Sequence, residues 1–459
     1  MMKEQTLYPL IPSQETMCYM LKYSLHKQVT NVPVSFATTK PLDFDVMKKA
    51  LNLEIERNDC LRIRFVKKGG KMQQVFLPSY TIDEVQTLHF ATKEEQEAFF
   101  EADAAKAIRP LKETFRVVFF TDCENRYGVY LNACHLIVDA FAATVFFRDL
   151  FAVYDALVAG GELPAPLARF EEHLPKEYEY LKSEQYQKDY DYFDQFHRGM
   201  GCPPFYAGVH GPAMLEKQRK RKPDLTVPVA FDPIHDKAES AHLCSDEETT
   251  KALLDYCEKN RIALEIMMQT GYKIYAAALN YRSDDTMMMV LCSRRVTSKE
   301  KNMGGCLAQV LQMRTKLPTS LTFEETVKRV SAQRSSHFRH MNFPYIDALN
   351  MERKIYHFSQ AQGPALMMYT WLPIDTLSKE FGADSPEFRF YNPGRYIMPL
   401  YTFTFRSLDG KQLECLYMYR TNLISRENIE ALHDGCFRVL RAALADPQTT
   451  VEKLFDVAL

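Results

Sequence analysis

A histidine and an aspartate four positions apart have the spacing that could support acid–base chemistry in this sequence. They are His135 and Asp139, within the segment Asn132–Ala140, which reads NACHLIVDA. A neutral imidazole can take up a proton near neutral pH because its unperturbed pKa is about 6.5. An aspartate at the start of a helix can cap that helix or bind a buried arginine. The segment therefore makes His135 a candidate general base and Asp139 a candidate supporting carboxylate.

The same spacing occurs a second time, so the pattern alone is not specific. His242 and Asp246 also stand four positions apart. Among the 12 histidines of this chain, roughly one chance match of this kind is expected. Asp246 belongs to the helix-capping signature Ser245–Glu248, so we interpret it as a cap. The interpretation of His135 therefore depends on the elements around it.

The elements around His135 are predicted to be a strand and then a helix. Residues Tyr127–Cys134 alternate as a strand, and Phe141–Leu157 read as a strongly apolar helix. A side chain at such a junction has rigid supports and can point into a cleft, which suits a general base. Cys134 faces the opposite way on the strand, so we expect its thiol to be buried.

Both halves of the chain mix strands with helices, which predicts an α/β protein (α+β, with mixed sheets). Further elements are predicted at Val32–Thr38, Phe44–Arg57, Leu61–Val66, Ala263–Leu279, Met287–Cys292, Thr402–Phe405, Leu413–Tyr419 and Arg426–Leu444. Between about Phe196 and Glu239, glycines and prolines interrupt any regular element. The predicted organisation is an N-terminal lobe at 1–195, a crossover linker at 196–239 and a C-terminal lobe at 240–459.

Composition excludes several classes of function. The 57 Lys and Arg residues nearly balance the 59 Asp and Glu residues, which argues against a nucleic-acid-binding protein. No apolar run is long enough for a signal peptide or a membrane span, so a cytoplasmic location without a membrane span is expected. The 11 cysteines show no metal-ligand spacing, which predicts reduced thiols and no metal site.

The segment NACHLIVDA resembles the HHxxxDG motif of the condensation-domain and alcohol-acyltransferase superfamily, whose members are related to chloramphenicol acetyltransferase. Five further segments resemble motifs of this superfamily in the same order: Tyr8–Tyr19, Leu42–Phe65, Val290–Leu307, His340–Tyr345 and Leu413–Leu454. Two positions depart from the main motif. Cys134 stands in place of its first histidine, and Ala140 stands in place of its glycine.

This resemblance implies two chloramphenicol-acetyltransferase-like lobes that form a V with a central tunnel. It also implies that His135, which matches the second histidine of the motif, is the catalytic residue. Asp139 would pair with an arginine and orient the loop; the candidates are Arg294 and Arg295, with Arg62 as another.

The resemblance further implies an acyltransferase that moves an acyl group from a thioester to a small alcohol or amine. The donor would be an acyl-CoA or an acyl-phosphopantetheine on an acyl-carrier protein, and no permanently bound cofactor is expected. An O-acyltransferase using acyl-CoA is favoured over an amide-forming enzyme. The alternative is a catalytically silent module that binds a carrier protein, a ligand or a partner. The sequence identifies neither the substrates nor the residues that would bind the donor.

Overall fold

Helices and strands are mixed along the chain in the computed structural model, which describes residues 6–202, 208–229, 232–362, 367–372 and 387–459. The helices are α1 (Pro12–Tyr23), α2 (Phe44–Arg57), α3 (Lys93–Ala104), α4 (Ala140–Ala159), α5 (Leu174–Tyr180), α6 (Glu184–Gly199), α7 (Ala213–Arg219), α8 (Glu247–Asn260), α9 (Leu264–Leu279), α10 (Ser298–Lys301), α11 (Phe323–Arg339), α12 (Tyr345–Tyr356), α13 (Arg426–Ala445) and α14 (Val451–Ala458). The strands are β1 (Tyr8–Pro9), β2 (Asn31–Thr38), β3 (Ile63–Lys68), β4 (Lys71–Phe76), β5 (Gln86–His89), β6 (Phe115–Thr121), β7 (Tyr127–Cys134), β8 (Ala238–Cys244), β9 (Asp285–Cys292), β10 (Gln309–Lys316), β11 (Met367–Leu372), β12 (Glu387–Phe390), β13 (Leu400–Arg406) and β14 (Leu413–Arg420).

The chain divides into two compact units that are not continuous in sequence. Unit 1 consists of Met1–Gln185, Ser293–Ala308 and Thr376–Arg395, and unit 2 consists of Tyr186–Cys292, Gln309–Asp375 and Tyr396–Leu459.

These units differ from the continuous lobes predicted at 1–195 and 240–459. Two later segments belong to unit 1 because β12 pairs with β2 and because Gly305 forms a β-bridge with Val138. Such pairings join distant parts of the chain, and hydrophobic periodicity reports only local structure. Of the predicted linker, residues 203–207 and 230–231 lie outside the described residues.

Unit 1 is built on a five-stranded sheet with the order β12-β2-β7-β6-β5. Strand β7 lies at its centre and pairs antiparallel with both β2 and β6, so that Cys134 stands opposite Asn31. Helices α2 and α4 contribute their apolar faces to the same core as the inner residues of β7. A smaller sheet has the order β1-β4-β3. The strand that precedes His135 is therefore rigidly supported on both edges.

Unit 2 is built on a six-stranded mixed sheet with the order β10-β9-β11-β13-β14-β8. Strand β9 lies inside this sheet, with β10 antiparallel on one side and β11 parallel on the other. This interior position explains its continuous apolar run, Met287–Cys292. Helices α9 and α13 contribute buried side chains to the core of this unit.

Most elements predicted from local patterns are confirmed. The predicted strand Tyr127–Cys134 is β7, and the predicted helix Phe44–Arg57 is α2, with the same bounds. Helix α4 extends the predicted helix Phe141–Leu157 at both ends. Asp246 caps α8 by accepting a hydrogen bond from the Thr249 N–H, as predicted. In the described part of the chain, no helix combines the length and the apolar character that crossing a membrane requires.

A buried carboxyl group in unit 2 makes the stability of the fold depend on pH. Glu352 in α12 is fully buried and accepts a hydrogen bond from the Gln312 side chain. Its second carboxyl oxygen has no hydrogen-bond partner among the described residues and lies 3.6 Å from His197 Nδ1. Burial raises the pKa of Glu352 from 4.5 to about 8. The folded protein therefore keeps this proton at neutral pH, whereas the unfolded chain releases it.

We predict that Glu352→Gln removes a loss of stability that the wild-type protein undergoes as the pH rises. In the wild type, the unfolded state loses this proton near pH 4.5 and the folded state near pH 8, so the free energy of unfolding falls between these values. The expected loss is on the order of a few kcal/mol. Urea unfolding at pH 5, 6.5 and 8 measures it. The exposed Glu239→Gln should behave as the wild type, and equal pH dependence in the Glu352→Gln variant would contradict the prediction.

Candidate active site

His135 directly follows the central strand of unit 1. Its backbone N–H donates a hydrogen bond to the Thr30 carbonyl at 2.8 Å, which fixes the backbone where β7 ends. Its side chain is partly exposed, unlike those of its neighbours Cys134 and Leu136, which are fully buried. Its Nδ1 atom lies 3.7 Å from the Cys306 Sγ atom. The imidazole therefore has one side against the protein and part of its surface free.

The surroundings of His135 favour its neutral form. Desolvation lowers the pKa of the imidazole below its ordinary value, whereas the Asp139 carboxylate and the backbone carbonyls of His135 and Val138 act in the opposite direction. Desolvation is the largest of these effects, so the pKa stays below 6.5. A neutral imidazole can accept a proton, which is what a general base requires.

Asp139 is the N-cap of α4 and accepts four hydrogen bonds. Its Oδ1 atom accepts from the Ala142 N–H at 2.8 Å, as an N-cap does. Its Oδ2 atom accepts from Arg295 Nη1 at 2.8 Å, from the Leu307 N–H at 2.8 Å and from the Ala308 N–H at 2.9 Å. Both roles considered from the sequence, the helix cap and the partner of a buried arginine, are thus combined in one side chain.

The charge of Asp139 is stabilised although the residue is buried. Burial by itself would raise the pKa of this carboxyl group, but the Arg295 guanidinium and the backbone N–H donors outweigh it, so the pKa is lowered. The side chains of the pair are 0% and 1% exposed. Arg295 also donates from Nη2 to the Gly305 carbonyl at 2.7 Å and lies over the Phe141 ring. The pair therefore links the start of α4 to the segment that contains Gly305.

The other two candidate arginines have different partners. Arg294 donates from Nη2 to Glu177 Oε1 at 2.6 Å, and both side chains are almost completely buried. Burial would raise the pKa of Glu177, but the Arg294 charge and His173 lower it overall. Arg62 donates to four backbone carbonyls and not to Asp139; these are the carbonyls of Ile55, Glu56, Leu77 and Pro78. Among the three candidates, Arg295 is thus the one in contact with Asp139.

The two departures from the motif lie in ordinary structural positions. The Cys134 side chain is fully buried, as predicted, and burial raises the pKa of its thiol to about 12. A thiol in that state is a poor nucleophile. Ala140 is the first residue of α4, a position that alanine occupies without strain.

The segment Met303–Ala308 packs closely against the rest of unit 1 at two glycines. Gly305 has φ +91°, and a Cβ atom there would lie 2.4 Å from the Phe170 ring. A Cβ atom on Gly304 would lie 2.3 Å from the Asn58 side-chain oxygen. The positive φ favours glycine at Gly305, and a side chain at Gly304 would require Asn58 to move. The close packing of this segment places Cys306 beside His135, a contact that the sequence did not predict.

The sequence predicts no metal site. Among the described residues, no group of three or more His, Cys, Asp or Glu side chains is placed to hold a metal ion. His340, whose segment resembles a family motif, has its Nδ1 atom 2.7 Å from Asp189 Oδ1 in unit 2 and stacks on the Tyr192 ring. These contacts give His340 a structural role in unit 2.

We predict that Asp139→Asn destabilises unit 1 by about 3–5 kcal/mol, because it leaves the buried Arg295 guanidinium without a counter-charge. Asparagine can still cap α4 through one oxygen, so the loss reports the contacts of Oδ2, which are the ion pair and the hydrogen bonds from the Leu307 and Ala308 N–H groups, rather than the helix cap. Urea unfolding followed by circular dichroism measures the change. The matched control is Asp155→Asn, which removes an ion pair with Lys40 whose side chains are 47% and 46% exposed. The control should cost less than about 1 kcal/mol, and an equal cost for both variants would contradict the prediction.

Comparison with known proteins places this geometry in a family. The condensation-domain family model matches residues 4–457. Surfactin synthase subunit 1 of Bacillus subtilis (strain 168) is 23% identical over 476 residues, which cover 98% of this chain and 12% of that protein. The dimodular nonribosomal peptide synthase of the same strain is 24% identical over 438 residues, covering 92% and 18%, respectively. The chain thus spans less than a fifth of the length of either relative.

Solved structures share the fold at low sequence identity. The first condensation domain of the calcium-dependent antibiotic synthetase, in complex with a substrate analogue, has a TM-score of 0.81 at 17% identity, covering 98% of this chain and 99% of that chain. The condensation domain of the monacolin K polyketide synthase has a TM-score of 0.80 at 16% identity, covering 97% and 99%. Both agree with the expected mixed α/β architecture of two chloramphenicol-acetyltransferase-like lobes. With the family model matching almost its entire length, the chain belongs to the condensation-domain family.

Proposed function

We propose that this chain transfers an acyl group from a thioester to an amine or hydroxyl acceptor, with His135 as the general base. One observation carries the proposal. A partly exposed imidazole with a lowered pKa stands at the end of the central strand of unit 1, on a backbone fixed by Thr30. His135 also matches the second histidine of the motif that Asn132–Ala140 resembles, which supports its role as the proton acceptor.

The atoms and electrons of the proposed reaction balance with the thioester, the acceptor and His135 alone. The acceptor N–H or O–H gives its proton to the imidazole while its N or O atom attacks the thioester carbonyl. The C–S bond then breaks, and the imidazolium returns the proton to the departing thiolate. The products are an amide or ester and a free thiol. The lowered pKa of His135 keeps the imidazole neutral and able to accept the proton from the acceptor. It also makes the imidazolium return that proton readily to the thiolate.

We place amines first among the acceptors. Condensation domains catalyse amide-bond formation as acyltransferases, and the relatives named above include a nonribosomal peptide synthase. The ester product favoured from the sequence remains a prediction, and the assay below tests both acceptors.

The proposed donor is a thioester of phosphopantetheine, on a carrier protein or as acyl-CoA. A starter condensation domain from the rhizomide synthetase, solved in complex with C8-CoA, has a TM-score of 0.79 to this chain at 15% identity, with 97% of each chain covered. That complex supports testing CoA esters alongside carrier-bound ones.

The expected cytoplasmic location remains a prediction.

The second candidate function is a silent module that binds a carrier protein or ligand. The observation that favours it is the replacement of two motif residues by Cys134 and Ala140. Both residues occupy buried or helical positions rather than the free side of the imidazole, which supports the catalytic proposal over this one.

We predict that His135→Ala lowers the rate of thiol release by about 100- to 10,000-fold, the usual contribution of a general base. The assay measures thiol release and product mass with acyl-CoA and acyl-carrier thioesters, using amine and alcohol acceptors. The control is His242→Ala, which removes an exposed histidine with the same spacing to an aspartate. Activity that survives His135→Ala would exclude the proposed base. Carrier binding without turnover of any donor would favour the silent module.

We also predict that kcat/KM decreases as the pH is lowered, with an apparent pKa below 6.5. Only the neutral imidazole accepts a proton, and the lowered pKa of His135 keeps it neutral at a pH where a free imidazole is half protonated. Rates between pH 4.5 and 8, with enzyme stability checked at each pH, measure this limb. An acid limb above pH 6.5 would be inconsistent with the surroundings described for His135.

A further inference from the structure

We propose that Glu54 and Asp149 share one proton, and that Glu54 thereby acts as a positioning residue for the segment Met303–Ala308. The two residues lie in unit 1, Glu54 on α2 and Asp149 on α4, and both are buried. The shared proton follows from the contacts of the two carboxyl groups. The positioning role in catalysis rests on the proposed function, because the segment contains the residue that contacts His135.

Three of the four oxygen atoms of this pair accept hydrogen bonds from identified donors. Asp149 Oδ2 accepts from Arg57 Nε at 2.6 Å, and Asp149 Oδ1 accepts from Arg57 Nη2 at 2.8 Å. Glu54 Oε1 accepts from Asn58 Nδ2 at 3.0 Å. The fourth oxygen, Glu54 Oε2, is buried and receives no hydrogen bond from any donor among the described residues. A buried carboxylate oxygen in that state would be costly, so its surroundings require an explanation.

The explanation is a hydrogen on Glu54 itself. The Glu54 and Asp149 side chains are hydrogen-bonded to each other. Two carboxylates cannot form that bond because both can only accept, so one of the two groups carries a hydrogen. Asp149 faces the Arg57 guanidinium with both oxygens, which favours its charged form. The hydrogen therefore lies on Glu54, at Oε2, because Oε1 already accepts from Asn58.

The charges around the pair agree with this placement. Burial and the hydrogen bond to Asp149 raise the pKa of Glu54 well above its ordinary value, although Asn58 and Arg57 act in the opposite direction. Burial would also raise the pKa of Asp149, but its hydrogen bonds with Arg57 and Glu54 outweigh burial and lower it overall. The cations that act on the pair are Arg57 of α2 and Arg148 of α4.

The end of α2 connects this pair to the candidate site. The Asn58 oxygen lies 2.3 Å from the place that a Cβ atom on Gly304 would take, so the Asn58 side chain packs directly against that glycine. The next residue, Asp59, accepts from the Phe170 N–H at 2.9 Å, and the Phe170 ring packs against Gly305. The end of α2 thus supports the segment at both glycines.

Glu54 sets the orientation of Asn58 at this surface. Asn58 Nδ2 donates to Glu54 Oε1, which turns the Asn58 oxygen towards Gly304. If Glu54 lost its proton, two carboxylates would lie side by side in the interior, with one guanidinium bound to Asp149 only. Like charges at such a distance repel each other strongly in a buried environment. The proton on Glu54 therefore keeps α2 and α4 together beneath the segment.

Infrared spectroscopy of the full chain at pH 7 tests the shared proton. The carbonyl stretch of a protonated carboxyl group is separate from the bands of carboxylates, so each buried protonated carboxyl contributes a band of its own. We expect Glu54→Gln to lose one such band. The control is Glu56→Gln, which changes an exposed glutamate of the same helix and should keep every band. An unchanged spectrum in Glu54→Gln would overturn the proposal.

The pH dependence of unfolding gives a second measurement on the same variants. Below the pKa of a glutamate in the unfolded chain, about 4.5, the contribution of Glu54 to stability is fully present. It is lost as the pH rises towards the pKa of the folded state. The unfolding equilibrium constant of the wild type, relative to Glu54→Gln, should therefore rise by up to about 10-fold per pH unit between pH 5.5 and 7. A constant ratio would contradict the shared proton.

The positioning role is tested by comparing Glu54→Gln with Glu54→Leu. Glutamine can accept from Asn58 and donate to Asp149, as protonated Glu54 does, whereas leucine can do neither. Hydrogen exchange of peptides that contain Leu307 and Ala308 should be about 2- to 10-fold faster in Glu54→Leu, the range of one net hydrogen bond. We expect wild-type exchange in Glu54→Gln, and unchanged exchange in peptides of α13 in both variants.

Activity provides the last comparison. In Glu54→Leu, kcat should fall by about 2- to 10-fold, with KM within about 2-fold of the wild type, and Glu54→Gln should restore kcat. Equal exchange and equal kcat in both variants would overturn the positioning role. If Glu54→Leu does not fold, the spectrum and the unfolding of Glu54→Gln still decide the shared proton. The expected band and exchange rates without acyl transfer in any variant would support the placement of Glu54 and contradict the proposed function.

Discussion

The buried ion pair between Asp139 and Arg295 is the interaction on which the organisation of the candidate site depends. Burying two charges is expensive, and additional hydrogen bonds to the buried groups offset part of that cost. Here one carboxylate accepts from the first turn of α4, from the guanidinium and from two backbone N–H groups of the segment Met303–Ala308. The pair thus joins the junction that contains His135 to a distant part of the sequence, and it makes the position of each depend on the other.

This arrangement also explains why an aspartate four positions after the histidine does not make that histidine strongly basic. In a Ser-His-Asp triad, the carboxylate bonds directly to the imidazole and stabilises its charged form. Here the Asp139 oxygens are occupied by Arg295 and by backbone donors, so the carboxylate has only a through-space effect on the ring. Desolvation then dominates and lowers the pKa of His135. The contacts of the His135 ring come instead from the backbone and from the Cys306 sulfur.

Local patterns predicted the elements of the site well, and pairings between distant segments poorly. The strand before His135, the helix after Asp139 and the cap at Asp246 all follow from alternation, apolar periodicity or capping residues, which are properties of neighbouring positions. The sequence could not choose between Arg294 and Arg295. The structure separates them because Arg294 has a positive φ of 57°, and the two side chains reach different carboxylates, Glu177 and Asp139. No pattern of neighbouring residues predicted that Ser293–Ala308 belongs to unit 1, or that Cys306 contacts His135.

The two departures from the family motif can be understood from the positions they occupy. Cys134 is the last residue of β7 and packs in the apolar core, where a neutral thiol behaves as a small hydrophobic group and needs no charged partner. Ala140 begins α4, where the helical backbone conformation imposes no need for glycine. In contrast, glycine is favoured at Gly305, which has a positive φ and where a Cβ atom would collide with the Phe170 ring. The close packing of the segment Met303–Ala308 places Cys306 against the imidazole, so this segment contributes to the surroundings of His135.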